Sequence, residues 1–255
     1  MSNIDLRFGD CYELIKEIPD KSIDLVYVDI PYLYESGGKV NSKNEKQSAL
    51  SKRIGKVRND YLKDISSGID FTILDELCRV MKHIYIYIWC SKEQILGLME
   101  YFIKGKDCRF NLLTWNKTNP TPATDGTYLP DIEYCLVFKE KGSPKYNDGY
   151  ELKSKWYVSP INKKDKDLFY HPTIKPLELV KRHILHSTNE GDTVLDCFMG
   201  SGTTGVACKE TNRNFIGMEI DEQYFKIAKD RLNGITACGQ TSIFTDFSQL
   251  ESDLK

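Results

Sequence analysis

The thirty residues DTVLDCFMGSGTTGVACKETNRNFIGMEID, Asp192 to Asp221, decide how the rest of the chain is read. An apolar strand pattern, Thr193 to Asp196, ends on an acid. A glycine turn, Gly200-Ser201-Gly202, follows; a helix pattern opens at Thr203, and a second strand pattern, Asn214 to Glu219, again ends on an acid. Glycines in such a turn let the backbone approach a ligand closely, and an acid about twenty residues further on can accept hydrogen bonds from two ribose hydroxyls. The unit has the mechanics of an adenosine-binding βαβ.

Outward from this unit, strand patterns read at Ile4 to Phe8, Ile23 to Asp29, His83 to Cys90, Phe110 to Asn116 and Ile132 to Phe138. Helix patterns lie at Cys11 to Ile18, Phe71 to Met81, Lys92 to Lys104, Pro176 to Ser187, Thr203 to Thr211 and Glu222 to Leu232. Continuous apolar strands alternating with helices predict an α/β fold, a largely parallel sheet of about seven strands with helices on both faces. One domain over residues 1–255 is expected, interrupted at 33–69 and 118–170. Long irregular stretches of this kind are usually functional or disordered. The second interleaves aromatic residues (Tyr146, Tyr150, Trp156, Tyr157, Phe169, Tyr170) with lysines, as a nucleic-acid-contacting insertion or a small sub-domain core would.

Composition narrows the class. Charged residues are 28% and apolar residues 40% of the 255, with a net charge of −2, which is ordinary for a globular protein and argues against one coated in positive charge. The N-terminus lacks a signal-peptide pattern and no apolar run is long enough to cross a membrane, so a cytoplasmic location is expected. Eight cysteines are scattered singly without C-x-x-C spacing, which predicts reduced, buried thiols rather than disulfides or zinc. His183 and His186 lie three apart without a nearby Cys or carboxylate to complete a ligand set, so no metal is expected. Charge is concentrated locally: from Lys39 to Lys63 there are eight basic residues against two acidic ones.

The run Gly200 to Gly205 also spells G-x-G-x-x-G, so a nicotinamide-dependent oxidoreductase has to be weighed. Little chain follows it for a substrate domain, and nothing supplies a hydride-transfer site. The fuller form Asp196-Cys197-Phe198-Met199-Gly200-Ser201-Gly202 resembles instead the S-adenosylmethionine loop of Rossmann-like methyltransferases. That resemblance implies Asp196 facing the methionine amine, Gly200 and Gly202 admitting the cofactor beside Phe198, Ser201 and Thr203, and Glu219 at the ribose.

A second stretch, VYVDIPYLYESGG from Val26 to Gly38, ends a core strand on a carboxylate and follows it with Pro31 and Tyr32. Beside a methyl donor these residues have a use. An exocyclic amine on adenine or cytosine is a poor nucleophile, because its lone pair is delocalised into the ring. The Asp29 carboxylate and the Ile30 carbonyl are two acceptors that could hold that nitrogen; Pro31 biases Ile30 toward an extended backbone, fixing the carbonyl's direction, and Tyr32 can stack on the base. Such catalysis is mostly positioning and electrostatics. The bland alternative is a strand-terminal turn in which Asp caps the loop and Pro shapes it.

Together the motifs resemble the DNA amino-methyltransferases of the β class, whose Asp-Pro-Pro-Tyr motif precedes the cofactor loop in sequence, so that the motif order is permuted. Phe8-Gly9-Asp10-Cys11 matches the family's strand whose acid contacts the adenine ring, which implies Asp10 and Cys11 at the cofactor. His171-Pro172-Thr173-Ile174-Lys175-Pro176 matches the segment in which Thr173 and Lys175 would hold the methionine carboxylate; a lysine at a helix start suits an anion independently. Trp115-Asn116-Lys117 resembles the strand end before the target-recognition region, placing that region at 118–170. Asp29 would face both cofactor and base. One departure stands out: the family usually has Pro where this chain has Ile30, so one rigid φ angle is lost.

The resemblance implies S-adenosylmethionine as cofactor and double-stranded DNA as partner, the target base leaving the stack before reaction. It leaves open a homodimer and a separately acting restriction endonuclease. Adenine N6 is favoured over cytosine N4, whose enzymes often carry Ser in place of the acid. A non-catalytic DNA-binding module on the same fold is the remaining reading, and retention of DNA without methyl transfer would distinguish it. The flexible basic loop expected at 33–69 and Lys117 are the expected phosphate contacts, Lys39, Lys52, Arg53, Lys56 and Arg58 carrying the charge. Neutralising the last four is expected to weaken DNA binding and flatten its salt dependence, since fewer counterions are released; binding titrations across a salt series measure that slope.

Overall fold

The computed structural model describes residues 2–33, 68–120, 128–144, 149–161 and 174–234. Eight strands form one sheet among them: β1 (Ile4–Phe8), β2 (Leu25–Asp29), β3 (Tyr85–Cys90), β4 (Arg109–Lys117), β5 (Ile132–Lys139), β6 (Trp156–Ser159), β7 (Thr193–Asp196) and β8 (Asn214–Glu219). The spatial order is β1-β8-β7-β2-β3-β5-β4-β6. The run from β1 to β3 is wholly parallel, β5 is antiparallel to both β3 and β4, and β6 returns parallel to β4. The helices are α1 (Cys11–Leu14), α2 (Thr72–Val80), α3 (Ile95–Met99), α4 (Leu177–Ser187), α5 (Thr203–Glu210) and α6 (Glu222–Leu232).

Period-2 alternation in the central strands builds two cores. Val26, Val28, Ile86 and Ile88 face one layer, against Ile73, Leu74 and Leu77 of α2 and Leu98 of α3. Leu25, Tyr27, Tyr85, Tyr87 and Trp89 face the other, against Leu179, Val180 and Ile184 of α4 and Ala207 and Cys208 of α5. His183 lies in that second layer, its ring stacked 5.0 Å from Tyr87. Six of the seven described cysteines are buried.

Three local readings change. The helix expected over Lys92 to Lys104 is a short α3 continued by a π-helical turn, Glu100–Gly105. The strand expected from Ile23 begins at Leu25, with Ile23 in an isolated bridge to Met81. An eighth strand, β6, lies inside the region assigned to target recognition; four residues of alternating exposure at a sheet edge carry too weak an apolar signal to be read locally. No helix among the described residues is long and apolar enough to cross a membrane.

The strand order reverses between β2 and β7. From β2 the chain builds outward to β3, whereas β7 is followed outward by β8 and then β1. In open α/β sheets, ligands bind beyond the carboxyl ends of the strands at such a switch.

The glycine turn after β7 serves the packing of the helix pair. Gly202 has φ +78°, and a Cβ there would stand 2.9 Å from the Cβ of Ala228 on α6. Gly202→Ala is therefore expected to destabilise the protein by about 2 kcal/mol or more, from backbone strain and overpacking together, measurable as a lower urea midpoint.

Candidate active site

At the carboxyl edge of the sheet, β1, β8, β7 and β2 end side by side on Phe8, Glu219, Asp196 and Asp29. Three gaps of ~4.8 Å spread these ends over ~14 Å. Along them runs a cavity of about 620 Å³, lined at one end by Gly9 to Tyr12, Ile220 and Tyr224, in the middle by Asp196 to Ser201, and at the other end by Asp29 to Tyr32 with Lys175.

At the first end, Glu219 accepts from Gly200 N at 2.8 Å and from Asp221 N at 2.9 Å, tying the glycine turn to the end of β8. Burial raises its carboxyl from the ordinary value against those two bonds. Asp10 caps α1 by accepting from Tyr12 N at 2.9 Å. In the middle, Asp196 is 3% exposed; it accepts from Phe198 N at 3.1 Å and from the Thr204 hydroxyl at 2.6 Å. Burial pushes its carboxyl up to about 7, since two hydrogen bonds do not replace lost hydration. No ion pair reaches Asp196 among the described residues, so an ammonium group in the cavity would meet an acid with no other counter-charge. Arg231 of α6 donates to the Thr203 hydroxyl at 2.9 Å and to Ser201 O at 3.2 Å, bracing the turn from behind.

At the other end, β3 and the turn after it hold the Asp-Ile-Pro-Tyr corner. Gln94 accepts from Ser91 N at 3.0 Å while its amide donates to Pro31 O at 2.9 Å, and the Ser91 hydroxyl donates to Leu33 O at 2.9 Å. Ser91-x-x-Gln94 has capping-box spacing, a signal visible in sequence; its use on a loop sixty residues away was not. Ile30 N donates to Trp89 O at 3.2 Å, a bond that proline could not make, and its side chain is 2% exposed in the core. What the chain loses in φ rigidity at this position it regains as a hydrogen bond and packing.

Asp29 is held on one side only. Its Oδ2 takes Lys175 Nζ at 2.5 Å, whereas its Oδ1 is buried and, among the described residues, accepts no hydrogen bond. Lys175 Nζ also lies 3.0 Å from Glu133 Oε2 and 3.3 Å from the Tyr32 hydroxyl. Burial raises the Asp29 carboxyl, and Lys175 only partly offsets this.

Most expected site residues therefore meet in one cavity: Asp10, Cys11, Asp29, Ile30, Pro31, Tyr32, Lys175, Asp196, Phe198, Gly200, Ser201, Thr203 and Glu219 all line it. Three of the expected residues make other contacts in the structure. Gly202 lies outside the lining, turned toward α6 for the packing reason given above. Lys175, expected on a carboxylate of the cofactor, has its three donors directed at Asp29, Glu133 and Tyr32. Lys117, expected at DNA, points inward and pairs with Glu133 Oε1 at 2.7 Å, its side chain only 14% exposed. Thr173 and the basic residues Lys39, Lys52, Arg53, Lys56 and Arg58 lie outside the described residues. Glu133, Ser91, Gln94, Thr204 and Arg231 entered the site only through the fold.

The reversed parallel sheet and its acid-lined cavity suit one class in particular, the S-adenosylmethionine-dependent methyltransferases, and the comparisons with known proteins show it. The chain belongs to the N6/N4 DNA methylase family, whose model matches residues 23–230. It is 32% identical over 250 residues to the type II methyltransferase M2.LlaDCHI of Lactococcus lactis subsp. cremoris, covering 91% of this chain and 90% of that one. It is 30% identical over 244 residues to M2.DpnII of Streptococcus pneumoniae, covering 89% and 88%. Among solved structures, the complex of M1.HpyAVI with S-adenosylmethionine superposes with TM-score 0.64 at 28% identity, over 90% of this chain and 100% of that one. The cytosine-N4-specific PvuII DNA methyltransferase gives TM-score 0.68 at 17% identity, over 91% and 86%, a likeness of fold. The protein is thus a DNA amino-methyltransferase that uses S-adenosylmethionine, and the acids beside its glycine turn suit that cofactor's amine and ribose.

Asp196 supplies a test. Its folded carboxyl is raised from 3.8 to about 7, so between those values the unfolded chain ionises and the folded one does not. Stability of the cofactor-free protein is expected to fall as pH rises through that window. Asp196→Asn should flatten this slope, read from urea midpoints, and weaken S-adenosylmethionine binding roughly tenfold or more, read by calorimetry.

Proposed function

We propose that the protein methylates N6 of adenine in double-stranded DNA at a specific site, acting on a base turned out of the helix. The observation that carries this reading is the buried Oδ1 of Asp29, which has no hydrogen-bond partner among the described residues, at the cavity end opposite Glu219. An exocyclic N–H is the kind of donor that oxygen lacks, and leaving it unmade is costly.

When bound, S-adenosylmethionine supplies a methyl group on a positively charged sulfur. The chain's own residues orient the acceptor. Asp29 Oδ1 and the Ile30 carbonyl accept hydrogen bonds from the two amine N–H groups, so that the nitrogen lone pair is drawn out of the ring and aimed into the cavity. Gln94 and Ser91, bonded to the carbonyls of Pro31 and Leu33, hold this loop at fixed height above the sheet. Tyr32 has its hydroxyl 3.3 Å from Glu133 Oε2, which sets its ring as a platform for the base. Extrusion of the base costs a few kcal/mol, and stacking on an aromatic ring offsets part of it. We assign target readout to residues 118–170. The acid at position 29 favours adenine over cytosine as the substrate base, on the resemblance set out above.

Asp29→Ala is expected to abolish transfer of labelled methyl groups to duplex DNA while leaving S-adenosylmethionine binding largely intact. Undiminished transfer by this variant would remove Asp29 from the mechanism. Nucleoside analysis of the product, with a single-stranded oligonucleotide run in parallel, should yield N6-methyladenine from duplex DNA; N4-methylcytosine would reassign the base, and methylation confined to single strands would reassign the DNA form.

A further inference from the structure

Four charged side chains from separate parts of the sequence form one row behind the Asp-Ile-Pro-Tyr corner, running from Asp29, whose side chain is 26% exposed at the cavity, into the interior. Asp29 meets Lys175, Lys175 meets Glu133, and Glu133 meets Lys117, at 2.5, 3.0 and 2.7 Å. The side chains of Lys175, Glu133 and Lys117 are 5%, 13% and 14% exposed. Charges alternate along the row and cancel, which is the condition under which ions are tolerated away from water. Lys117 ends β4 and Glu133 lies near the start of β5; Trp115 faces Glu133 in the antiparallel register, and Lys117, two residues further along β4, is its diagonal neighbour on the same face.

An ammonium has three donors, and Lys175 finds three acceptors: Asp29 Oδ2, Glu133 Oε2 and the Tyr32 hydroxyl. With Glu133 fixed by Lys117, Lys175 is gripped from two sides. The Asp29 carboxylate is then fixed through Oδ2.

We propose that Glu133 is a positioning residue for methyl transfer: by holding Lys175 between two carboxylates it occupies one oxygen of Asp29 and leaves the other for the target amine. This rests on the reading of Asp29 as the amine's acceptor. It assigns Lys175 to the base side of the cavity rather than to the cofactor's carboxylate.

The electrostatics agree with the geometry. Burial pushes Glu133 up, but Lys175 and Lys117 outweigh it and hold the carboxyl at about 2, so Glu133 stays anionic at any working pH. Its charge is one of the influences raising Asp29. Among the described residues the other groups facing Asp29 are Lys175, Tyr32, Tyr27 on β2, the thiols of Cys90 on β3 and Cys135 on β5, and Asp196 on β7. Both thiols are raised by burial and remain neutral.

The test uses the full chain carrying Glu133→Gln, the double variant Glu133→Gln/Lys117→Gln, which leaves no unpaired lysine, and Glu133→Asp, which keeps the charge. Single-turnover methyl transfer to duplex DNA is followed across pH, and S-adenosylmethionine binding is measured by calorimetry. The expected result is a rate lower by ~10- to 100-fold in the single and double Gln variants, with unchanged cofactor affinity. Loss of a negative neighbour should also move the acidic limb of the rate profile to lower pH, and Glu133→Asp should bring that limb back. Wild-type rate and limb in the double variant, beside an inactive Asp29→Ala, would overturn the role of Glu133 and leave Asp29 in place. A lower rate with an unmoved limb would reduce Glu133 to a structural residue and also overturn the proposal. So would a parallel loss of cofactor affinity, since Lys175 would then belong to the cofactor. Full activity of Asp29→Ala would instead overturn the reading on which the proposal stands.

Discussion

The structure depends on a short seam. β2 and β7 pair through only two residue pairs, Leu25 with Val194 and Val26 with Leu195, yet this pairing joins the half of the sheet that carries the glycine turn to the half that carries Asp-Ile-Pro-Tyr. Each strand ends on an aspartate, so a parallel seam necessarily sets Asp196 and Asp29 at the same edge. On the proposed reading, a methyl donor on one side and an amine on the other meet because these strands are neighbours. Residues almost 170 positions apart in the chain thereby become one site.

That edge is crowded with carboxylates, and the fold meets the crowding in two ways. Asp196 keeps its hydrogen bonds local and has no cation beside it among the described residues; burial raises its carboxyl to about 7, and the site suits a positive group. Asp29 receives Lys175, and Glu133 and Lys117 extend the pair into a neutral row. The two aspartates are chemically identical in sequence. Their difference comes from what lies behind them: helix α5 with Thr204 behind one, the β4–β5 pair behind the other. Perturbed acids in a cleft are the kind of group a ligand completes, and both of these aspartates line the cavity.

Ile30 shows how local reading can mislead about a substitution. From sequence alone, losing proline means losing a fixed φ angle. In the fold the amide donates to Trp89 and the side chain fills the core beneath the corner, so rigidity comes from packing and a hydrogen bond. Gly202 is the converse case. It reads as a ligand-facing glycine, but its missing Cβ makes room for Ala228 of α6. The turn is shaped as much by the helix behind it as by the cavity in front.

The sequence by itself determined the continuous apolar strands, most of the helices between them, the acids that end β2, β7 and β8, and the glycine turn, because each is written within a few neighbouring residues as polarity, spacing and turn chemistry. Edge strand β6 escaped that reading, being too short and too half-exposed to carry a period. Tertiary structure alone decided which charges pair. Lys175 is 146 residues from Asp29 and Lys117 is sixteen from Glu133, and whether any two of them touch depends on strand order and register. Coulomb attraction acts over distance in space, and nothing in the local sequence states what that distance will be.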